Sequence, residues 1–543
     1  MGHRGRTVTV FGLAAGLTLI AVAVSGGQAS GGGRPPQQSR SLSDTCAQLI
    51  DLALPDTTVR SAQLIPAGPF TPPGLSTPLN LPSFCRFVGV TTPAVNFEVW
   101  LPLAAWNGRF QGVGNGGMAG SISYAAMSTA LNRGYATAST DTGHTAGELP
   151  FDASWALGRP DLVEDFGHRA LHVTTVNAKA VVAAFYGEPA QYSYYVGCSK
   201  GGQQGLMEAQ RYPEDYDGLI AGDPANDWTR FYAGAHLWYS LAILEDPESF
   251  IPPTKLQTLG DAVDAACDAN DGIVDGVLQD PRTCDFEPAD LTCPLGTDAR
   301  SCLTAKQVQA VEKIWSGVSD ATGKPIYPGL VPGGEAAPGG WSRWVTGEAP
   351  FTSLHWRGGE GFFRYFVFED PDWDFRTFDF EADLEFALEK VGAAVDSNDP
   401  DLRPLRDRGS KLIVYHGWSD PDISPLSAIQ YYEEVVETVS PGQERRAALA
   451  ETQDFFRLFM VPGMGHCRGG PGADQFDALT ALEGWVERGI APEKIIASRE
   501  VDDEVAWTRP LCPYPQVAQH TGTGSTDDAA NFVCVAPESV SPR

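Results

Sequence analysis

Short apolar runs alternate with longer amphipathic stretches between about residues 96 and 226, and the alternation resumes near residue 411. Strand-length runs of β-branched and aromatic residues lie at 97–100, 109–113, 135–139, 192–196, 411–415 and 455–460. A helical period extends from Asp165 to Tyr186. Strands that alternate with helices indicate a parallel sheet with crossover helices, so the pattern predicts an α/β fold.

The alternation stops between residues 227 and 390, where Cys, Gly, Pro and aromatic residues accumulate. We interpret this block as an inserted lid domain, which divides the sheet domain into parts at 44–226 and 391–543. Thirteen aromatic side chains lie between residues 341 and 380. They either form the core of the lid or stack on an aromatic substrate.

The N-terminus has the order of features that exported proteins use. Arg4 and Arg6 precede an apolar stretch at 8–24, and small residues follow up to Ala29. This order predicts a secretory signal peptide at 1–29 and an extracellular protein. A membrane anchor is the alternative, because the 17 residues of the apolar stretch are marginal for a span. Residues 30–43 predict a disordered lead-in.

The composition narrows the class of partner. The chain of 543 residues is 43% hydrophobic and 20% charged, as in globular proteins, and its formal net charge is −30. Nucleic acids and anionic membrane surfaces are bound by clustered Lys and Arg, so this balance argues against both. A small-molecule substrate remains as the expected partner.

The ten cysteines indicate disulfides, because their number is even and the chain is expected to be exported. A zinc site would be the competing use, but there is no paired C-x-x-C motif or Cys/His cluster. Spacing favours four local pairs: Cys46 with Cys85, Cys267 with Cys284, Cys293 with Cys302, and Cys512 with Cys534. Cys198 and Cys467, far apart in the sequence, are left over.

The string Gly197-Cys198-Ser199-Lys200-Gly201 fits the G-x-S-x-G nucleophile pattern between a predicted strand and a predicted helix. In that setting Ser199 is a nucleophile on a sharp turn, and the N–H of Lys200 is one oxyanion donor. The glycines at 114–117 follow another strand and suit close approach to a substrate. We expect the second oxyanion N–H from Gly117 or Gly116. Ordinary glycine-rich turns are the alternative in both places.

A serine nucleophile requires a base, which follows it in the order Ser, Asp or Glu, His. Five histidines lie downstream: His236, His355, His416, His466 and His520. His466 is favoured because it lies in a glycine-rich loop directly after a predicted strand. Asp420 follows the other predicted strand and is expected to orient His466. Asp422, two residues further on, is the alternative acid.

A hydrogen bond between Ser199 and His466 would bring their sequence neighbours Cys198 and Cys467 close together. In an oxidising compartment such a pair should form a disulfide, with a Cα separation of about 4.4–6.8 Å. The bridge would fix the histidine loop to the nucleophile turn.

The loop from Cys267 to Val277 concentrates three carboxylates within eight positions. Such crowding suits either a solvated acidic turn or a hard cation, which needs several oxygen ligands. The spacing is not that of an EF-hand. The expected ligands of a cation are the side chains of Asp268, Asp271 and Asp275 and the carbonyls of Ile273 and Val277.

Cys198-Ser199, Asp420 and His466-Cys467 together resemble the CS-D-HC arrangement of the tannase/feruloyl esterase family, which includes mono(2-hydroxyethyl) terephthalate hydrolases. Strings at 165–172 and 218–225 resemble the family's helix before the nucleophile and the strand after it, and similarity covers residues 44–535. The resemblance implies an α/β-hydrolase core with a large inserted lid domain. It also implies secretion, esterolysis of aromatic acid esters and a structural Ca²⁺ in the acidic loop.

These observations predict a secreted serine carboxylesterase that acts on an aromatic ester, without an organic cofactor. Gallate, ferulate and terephthalate esters stay open as substrates. A peptidase or acyltransferase of the same fold is one alternative. The others are a non-catalytic, calcium-stabilised binding protein of this fold and a calcium-dependent carbohydrate-binding module.

Overall fold

The structure is a computed structural model and describes residues 42–147 and 151–536. The predicted signal peptide at 1–29 and residues 30–41 of the predicted lead-in lie outside this part of the chain. Residues 42 and 43 of the lead-in belong to the first helix.

Strands and helices alternate along most of the described chain. The strands are β1 Thr57–Ile65, β2 Gly68–Phe70, β3 Leu79–Leu81, β4 Phe84–Thr91, β5 Val95–Pro102, β6 Arg109–Val113, β7 Ala136–Thr140, β8 Tyr192–Cys198, β9 Gly218–Gly222, β10 Val318–Ser319, β11 Pro325–Tyr327, β12 Lys411–Gly417, β13 Phe456–Val461, β14 Gln475–Phe476, β15 Ile495–Val501, β16 Glu504–Leu511, β17 Val517–His520 and β18 Phe532–Val535. The α-helices are α1 Leu42–Gln48, α2 Tyr124–Asn132, α3 Pro160–Glu164, α4 Ala170–Tyr186, α5 Lys200–Arg211, α6 Trp228–Phe231, α7 Tyr239–Leu244, α8 Pro253–Cys267, α9 Ala305–Ser316, α10 Trp341–Trp344, α11 Leu354–Phe362, α12 Ala382–Ala387, α13 Ala393–Val395, α14 Arg403–Arg408, α15 Pro425–Val439, α16 Arg445–Gln453 and α17 Ala478–Arg488. The π-helical turns are Asp165–Arg169, Tyr232–Trp238, Phe363–Val367 and Leu388–Gly392. The 3₁₀ turns are Leu49–Asp51, Ser154–Ala156, Pro247–Ser249, Asp268–Asp271, Pro281–Thr283, Pro288–Leu291, Phe375–Thr377 and Ala529–Asn531.

The central sheet has nine strands in the order β1-β4-β5-β7-β6-β8-β9-β12-β13. It is parallel from β7 to β13, as the alternating pattern predicts. The strands β1, β4 and β5 pair antiparallel at one edge, which the sequence pattern did not predict. The reason is local: only residues 92–94 join β4 to β5, and so short a connection can link antiparallel strands only.

Helices cover both faces of this sheet. Helices α4, α5 and α15 pack on one face through Val181, Leu206 and Tyr432. Helices α2 and α17 pack on the other through Met127 and Leu482. The parallel strands are therefore buried on both sides, and their carboxyl ends are left to carry functional side chains.

The block between β9 and β12 is mainly helical and contributes no strand to the central sheet. Twelve of the thirteen aromatic residues between 341 and 380 pack in one hydrophobic cluster, and Phe351 is the exposed exception. Most of these rings therefore serve the block's own core rather than a substrate. The boundaries 227–390 of a separate lid domain stay a prediction.

After β13, the chain forms a sheet of β14, β15 and β16 and a hairpin of β17 and β18, neither of which the sequence pattern predicted. Cys512, directly after β16, bonds to Cys534 on β18. The disulfide therefore links the small sheet to the hairpin.

All ten cysteines are paired as the sequence analysis expects, and the five predicted disulfides are confirmed. The bonded pairs are Cys46 with Cys85, Cys198 with Cys467, Cys267 with Cys284, Cys293 with Cys302, and Cys512 with Cys534. Their Cα atoms lie 5.0–6.0 Å apart, within the range that a disulfide spans.

Three of these bridges hold segments outside the candidate site. The Cys46–Cys85 bridge fixes α1 to β4, and both of its sulfurs lie in the sheet domain's core. Cys284 bonds to Cys267 at the end of α8 and closes the acidic loop. Cys302 bonds to Cys293 and closes the short segment before α9.

Glu98 on β5 offers a test of how the antiparallel edge is held. Its buried carboxylate accepts hydrogen bonds from Arg86, Trp100 and Tyr124. Glu98→Ala leaves the Arg86 charge without its partner, so the free energy of unfolding should fall by about 3–5 kcal/mol in urea titrations with disulfides intact. The control Glu433→Ala breaks an exposed pair with Arg445 and should cost about 0–1 kcal/mol. Equal losses in the two variants would contradict this account.

Candidate active site

Ser199 lies on the sharp turn between β8 and α5, with φ of +65° and ψ of −122°. A left-handed backbone is costly for a residue with a side chain, so the surrounding structure must hold it. The turn has no room for larger neighbours: a Cβ added to Gly197 would lie 2.5 Å from the carbonyl oxygen of Gly201. A Cβ added to Gly202 would lie 2.3 Å from the carbonyl oxygen of Gly222. The glycines therefore permit the turn that presents Ser199.

His466 and Asp420 come from the loops that follow β13 and β12. Nδ1 of His466 lies 2.8 Å from Oδ2 of Asp420. The other oxygen of Asp420 accepts backbone hydrogen bonds from Asp422 and Ile423, at 2.8 and 3.1 Å. These bonds fix the carboxylate in the orientation that receives the imidazole. Asp420 rather than Asp422 is therefore the partner of Nδ1.

The Cys198–Cys467 disulfide joins the Ser199 turn to the His466 loop, with Cα atoms 6.0 Å apart. The buried Asp223 braces the same junction, since its carboxylate accepts from the N–H of Cys467 and the N–H of Gly417, each at 2.7 Å. Ser199 and His466 form no direct hydrogen bond within the described residues; in serine hydrolases such bonds often tighten only when substrate binds. No local pattern in the sequence indicates this role of Asp223.

The charges around His466 favour its protonated form. Burial lowers the pKa of His466, but Asp420, Asp422 and Asp223 outweigh this effect and raise the pKa to about 10. Burial raises the pKa of the Asp420 carboxyl, but the neighbouring His466 and His416 outweigh burial and hold this pKa below its ordinary value. The site is thus built to stabilise an imidazolium beside Ser199.

The predicted oxyanion donors lie on two facing segments. Asn115 and Gln204 clasp these segments together: the Asn115 N–H donates to Gln204 Oε1, and Gln204 Nε2 donates to Asn115 Oδ1, each at 3.0 Å. Within the described chain, the N–H groups of Gly116, Gly117 and Lys200 donate no hydrogen bond. They are therefore free to bind a developing oxyanion.

The side chain of Lys200 has a separate environment. Its Nζ donates to Gln203 Oε1 at 2.6 Å and lies 3.8 Å from the centre of the Phe166 ring. Burial holds the pKa of Lys200 well below its usual range. Only the backbone of Lys200 belongs to the site.

Asp422 has partners of its own, which the sequence did not reveal. Its Oδ2 lies 3.5 Å from Nε2 of His466, and its Oδ1 lies 3.2 Å from Nε2 of His355 and 3.6 Å from Nε2 of His236. Both of these histidines belong to the block between β9 and β12. Three imidazoles, one of which is the candidate base His466, thus surround one buried carboxylate.

The acidic loop follows α8, and Asp271, Asp275 and Val277 line a small cavity together with Pro462 and Ala473 of the segment after β13. The Oδ1 of Asp268 accepts from the N–H groups of Asp275 and Gly276, at 3.2 and 3.0 Å. The guanidinium of Arg509 donates to Asp275 at 2.7 Å. Burial raises the pKa of Asp271 to about 6 and also raises that of Asp275. The loop thus carries three carboxylates, and the guanidinium of Arg509 pairs with one of them.

Comparison with known proteins agrees with this geometry. The model of the "Tannase and feruloyl esterase" family matches residues 82–535. The chain belongs to this family. Among relatives of the tannase and feruloyl esterase family, an esterase of Xanthomonas campestris pv. campestris is 42% identical over 91% of this chain and 92% of its own length. Feruloyl esterase B of Aspergillus niger is 34% identical over 81% and 83% of the two chains.

Solved structures of the tannase and feruloyl esterase family share the fold. Feruloyl esterase B from Aspergillus oryzae superposes with a TM-score of 0.82 at 29% identity, covering 91% of this chain and all of that chain. Tannin acyl hydrolase from Aspergillus niger has a TM-score of 0.75 at 23% identity, covering 92% and 96%. The chain is an α/β-hydrolase and a carboxylesterase. None of the helices within 42–147 and 151–536 has the length and apolar character of a membrane span.

The two aspartates can be separated by the pH dependence of esterase activity. Asp422→Asn removes one negative charge that raises the pKa of His466, so the base becomes neutral at lower pH. The acid limb of kcat/KM should therefore move down by about one to three pH units. Asp420→Asn should instead lower kcat by about 10⁴-fold at every pH, because Nδ1 loses its acceptor. Loss of turnover in Asp422→Asn with activity kept in Asp420→Asn would reverse the assignment.

Proposed function

We propose that this carboxylesterase is secreted and hydrolyses esters of aromatic acids through a Ser199-His466-Asp420 acyl-enzyme mechanism. The observation that carries the proposal is the Asp420–His466 pair, which a disulfide links to a serine on a strained strand-to-helix turn. Family membership supports the same chemistry. The five disulfides support an oxidising destination.

In this mechanism Ser199 attacks the ester carbonyl while His466 accepts the hydroxyl proton at Nε2. The N–H groups of Lys200 and Gly117 stabilise the negative oxygen of the tetrahedral intermediate. His466 then returns the proton to the leaving alcohol. His466 then accepts a proton from water, which attacks the acyl carbonyl. The ester bond to Ser199 breaks, and the acid is released. Asp420 holds the imidazole through Nδ1 in both half-reactions.

Phenolic acid esters are the favoured substrates, since relatives at 34% identity are named feruloyl esterase B. The ring of Trp344 supports an aromatic acyl group, because it lies 5.2 Å from the ring of His466 and could stack on such a group bound beside the base.

Ca²⁺ is proposed for the acidic loop, bound by Asp268, Asp271, Asp275 and the carbonyls of Ile273 and Val277. Three carboxylates within eight positions support a cation there, since only one guanidinium, that of Arg509, pairs with the loop. The three carboxylates do not form one of the close ligand clusters among the described residues, and Asp275 pairs with Arg509. Binding would therefore require Asp275 to turn toward the ion. The role of the Ca²⁺ would be structural.

The nucleophile is tested with purified mature protein and Ser199→Ala on methyl ferulate, methyl gallate, a terephthalate monoester and a short aliphatic ester. The variant should lose at least about 10⁴-fold in kcat with an unchanged fold, because no other group supplies the attacking oxygen. Ser319→Ala, an exposed serine on β10, is the matched control and should keep full activity. Serine-dependent cleavage of the aliphatic ester alone would discard the aromatic substrate. Normal turnover by Ser199→Ala would remove Ser199 from the mechanism.

Calcium is tested by melting the protein with Ca²⁺ and with a calcium-selective chelator. Removal of an ion that binds only the folded chain should lower Tm by several degrees, and Asp271→Asn should abolish that difference. The exposed Asp290→Asn serves as control and should retain it. Identical melting of the wild type with and without Ca²⁺ would count against the ion.

A further inference from the structure

Three buried side chains from separate parts of the chain meet beside the catalytic loop. His236 lies in the π-helical turn Tyr232–Trp238, His355 lies in α11, and Asp422 follows β12. Both histidines are fully buried and Asp422 is 3% exposed. One potential ligand atom from each residue lies within 4.8 Å of the other two.

His236 carries a lone pair that no hydrogen bond satisfies. Its Nδ1 lies 2.9 Å from the carbonyl oxygen of His355, so Nδ1 carries the proton and donates. Its Nε2 faces Oδ1 of Asp422 at 3.6 Å, beyond hydrogen-bond distance, and has no other partner. With its proton on Nδ1, the neutral ring presents a lone pair at Nε2. Two acceptors therefore face each other in a site without water-exposed surface.

A bound cation resolves this opposition. A tetrahedral Zn²⁺ with bonds of about 2.0–2.1 Å holds its ligand atoms about 3.3–3.4 Å apart. Nε2 of His355 lies 3.2 Å from Oδ1 of Asp422, in hydrogen-bond contact, and Nε2 of His236 lies 3.6 Å from the same oxygen, so the two separations bracket those of a bound ion. The Nδ1–H bond of His236 to a backbone carbonyl is also the outer contact that orients metal-binding imidazoles.

The geometry points to a binding site for Zn²⁺, or a divalent transition metal of similar ligand preference, formed by His236, His355 and Asp422. Two nitrogens and one oxygen suit such an ion, whereas the all-oxygen acidic loop suits Ca²⁺. The site ties the block between β9 and β12 to the catalytic loop. Because Oδ2 of Asp422 faces His466, the ion would lie one carboxylate away from the base. The site stands on its own geometry, whether or not Ser199 is the nucleophile.

A second cluster, His172, Glu208 and Asp215, carries no such inference. Nδ1 of His172 and Oδ2 of Asp215 lie 2.6 Å apart, in direct hydrogen-bond contact. The ammonium of Lys179 donates to the backbone of Asp215 and supplies the positive charge locally. This cluster therefore needs no ion, and it provides a matched control.

The test uses the mature protein with disulfides intact and with saturating Ca²⁺ throughout. After treatment with a zinc chelator and its removal, Zn²⁺ is titrated by calorimetry and Co²⁺ by visible absorption. We expect one Zn²⁺ per chain, ligand-field bands of nitrogen-bound Co²⁺ and a higher Tm with Zn²⁺. His236→Gln, His355→Gln and Asp422→Asn should each weaken binding at least ~100-fold, whereas His172→Gln should bind as the wild type does.

Three outcomes would overturn the site: no stoichiometric Zn²⁺ on the wild type, binding retained by all three variants, or binding lost in His172→Gln. Near-UV circular dichroism establishes that each variant is folded. If a histidine variant does not fold, the wild-type titration and the near-isosteric Asp422→Asn still decide. The measured quantity is metal binding. An esterase assay without activity would therefore refute the proposed function but not the metal site.

Discussion

The Cys198–Cys467 disulfide is the constraint on which the candidate site depends. The nucleophile and the base come from loops 267 residues apart in sequence, and each lies directly beside one half of this bridge. Asp223 accepts hydrogen bonds from Cys467 and from the end of β12, so the bridge is also anchored to the sheet. Because effective alignment requires reacting atoms to be held within fractions of an ångström, a covalent link at this point limits the freedom that matters most.

Three carboxylates then set the electrostatics of one imidazole. Asp420 contacts Nδ1 of His466 directly, and Asp422 lies near Nε2. Asp223, which accepts a hydrogen bond from the neighbouring Cys467, also raises the pKa of His466 through its charge. A site with so much negative charge stabilises the imidazolium strongly, so the neutral imidazole that accepts the serine proton forms only at higher pH. The other oxygen of Asp422 is in hydrogen-bond contact with His355.

Sequence alone predicted the elements whose signals are local. Each of these signals lies within a few residues: the glycine spacing around Ser199, the strand before His466, and the cysteines that directly neighbour Ser199 and His466. The antiparallel edge was missed because its strands resemble buried parallel ones, and only the three-residue turn at 92–94 distinguishes them. Asp223, His236 and His355 were missed for another reason: their partners lie 67 to 244 residues away, and no local spacing records such contacts. The same limit hid the Arg509–Asp275 pair.

The contacts of Asp422 with His236 and His355 have a consequence for engineering. Exchanging the block between β9 and β12 for that of a relative, as a way to change substrate preference, would also exchange the partners of a carboxylate that belongs to the core. A transplanted block without these imidazoles would leave Asp422 buried with an uncompensated charge next to the base. The unit to be transferred is therefore the block together with residue 422, and chimaeras designed on domain boundaries alone would inherit a mismatched junction.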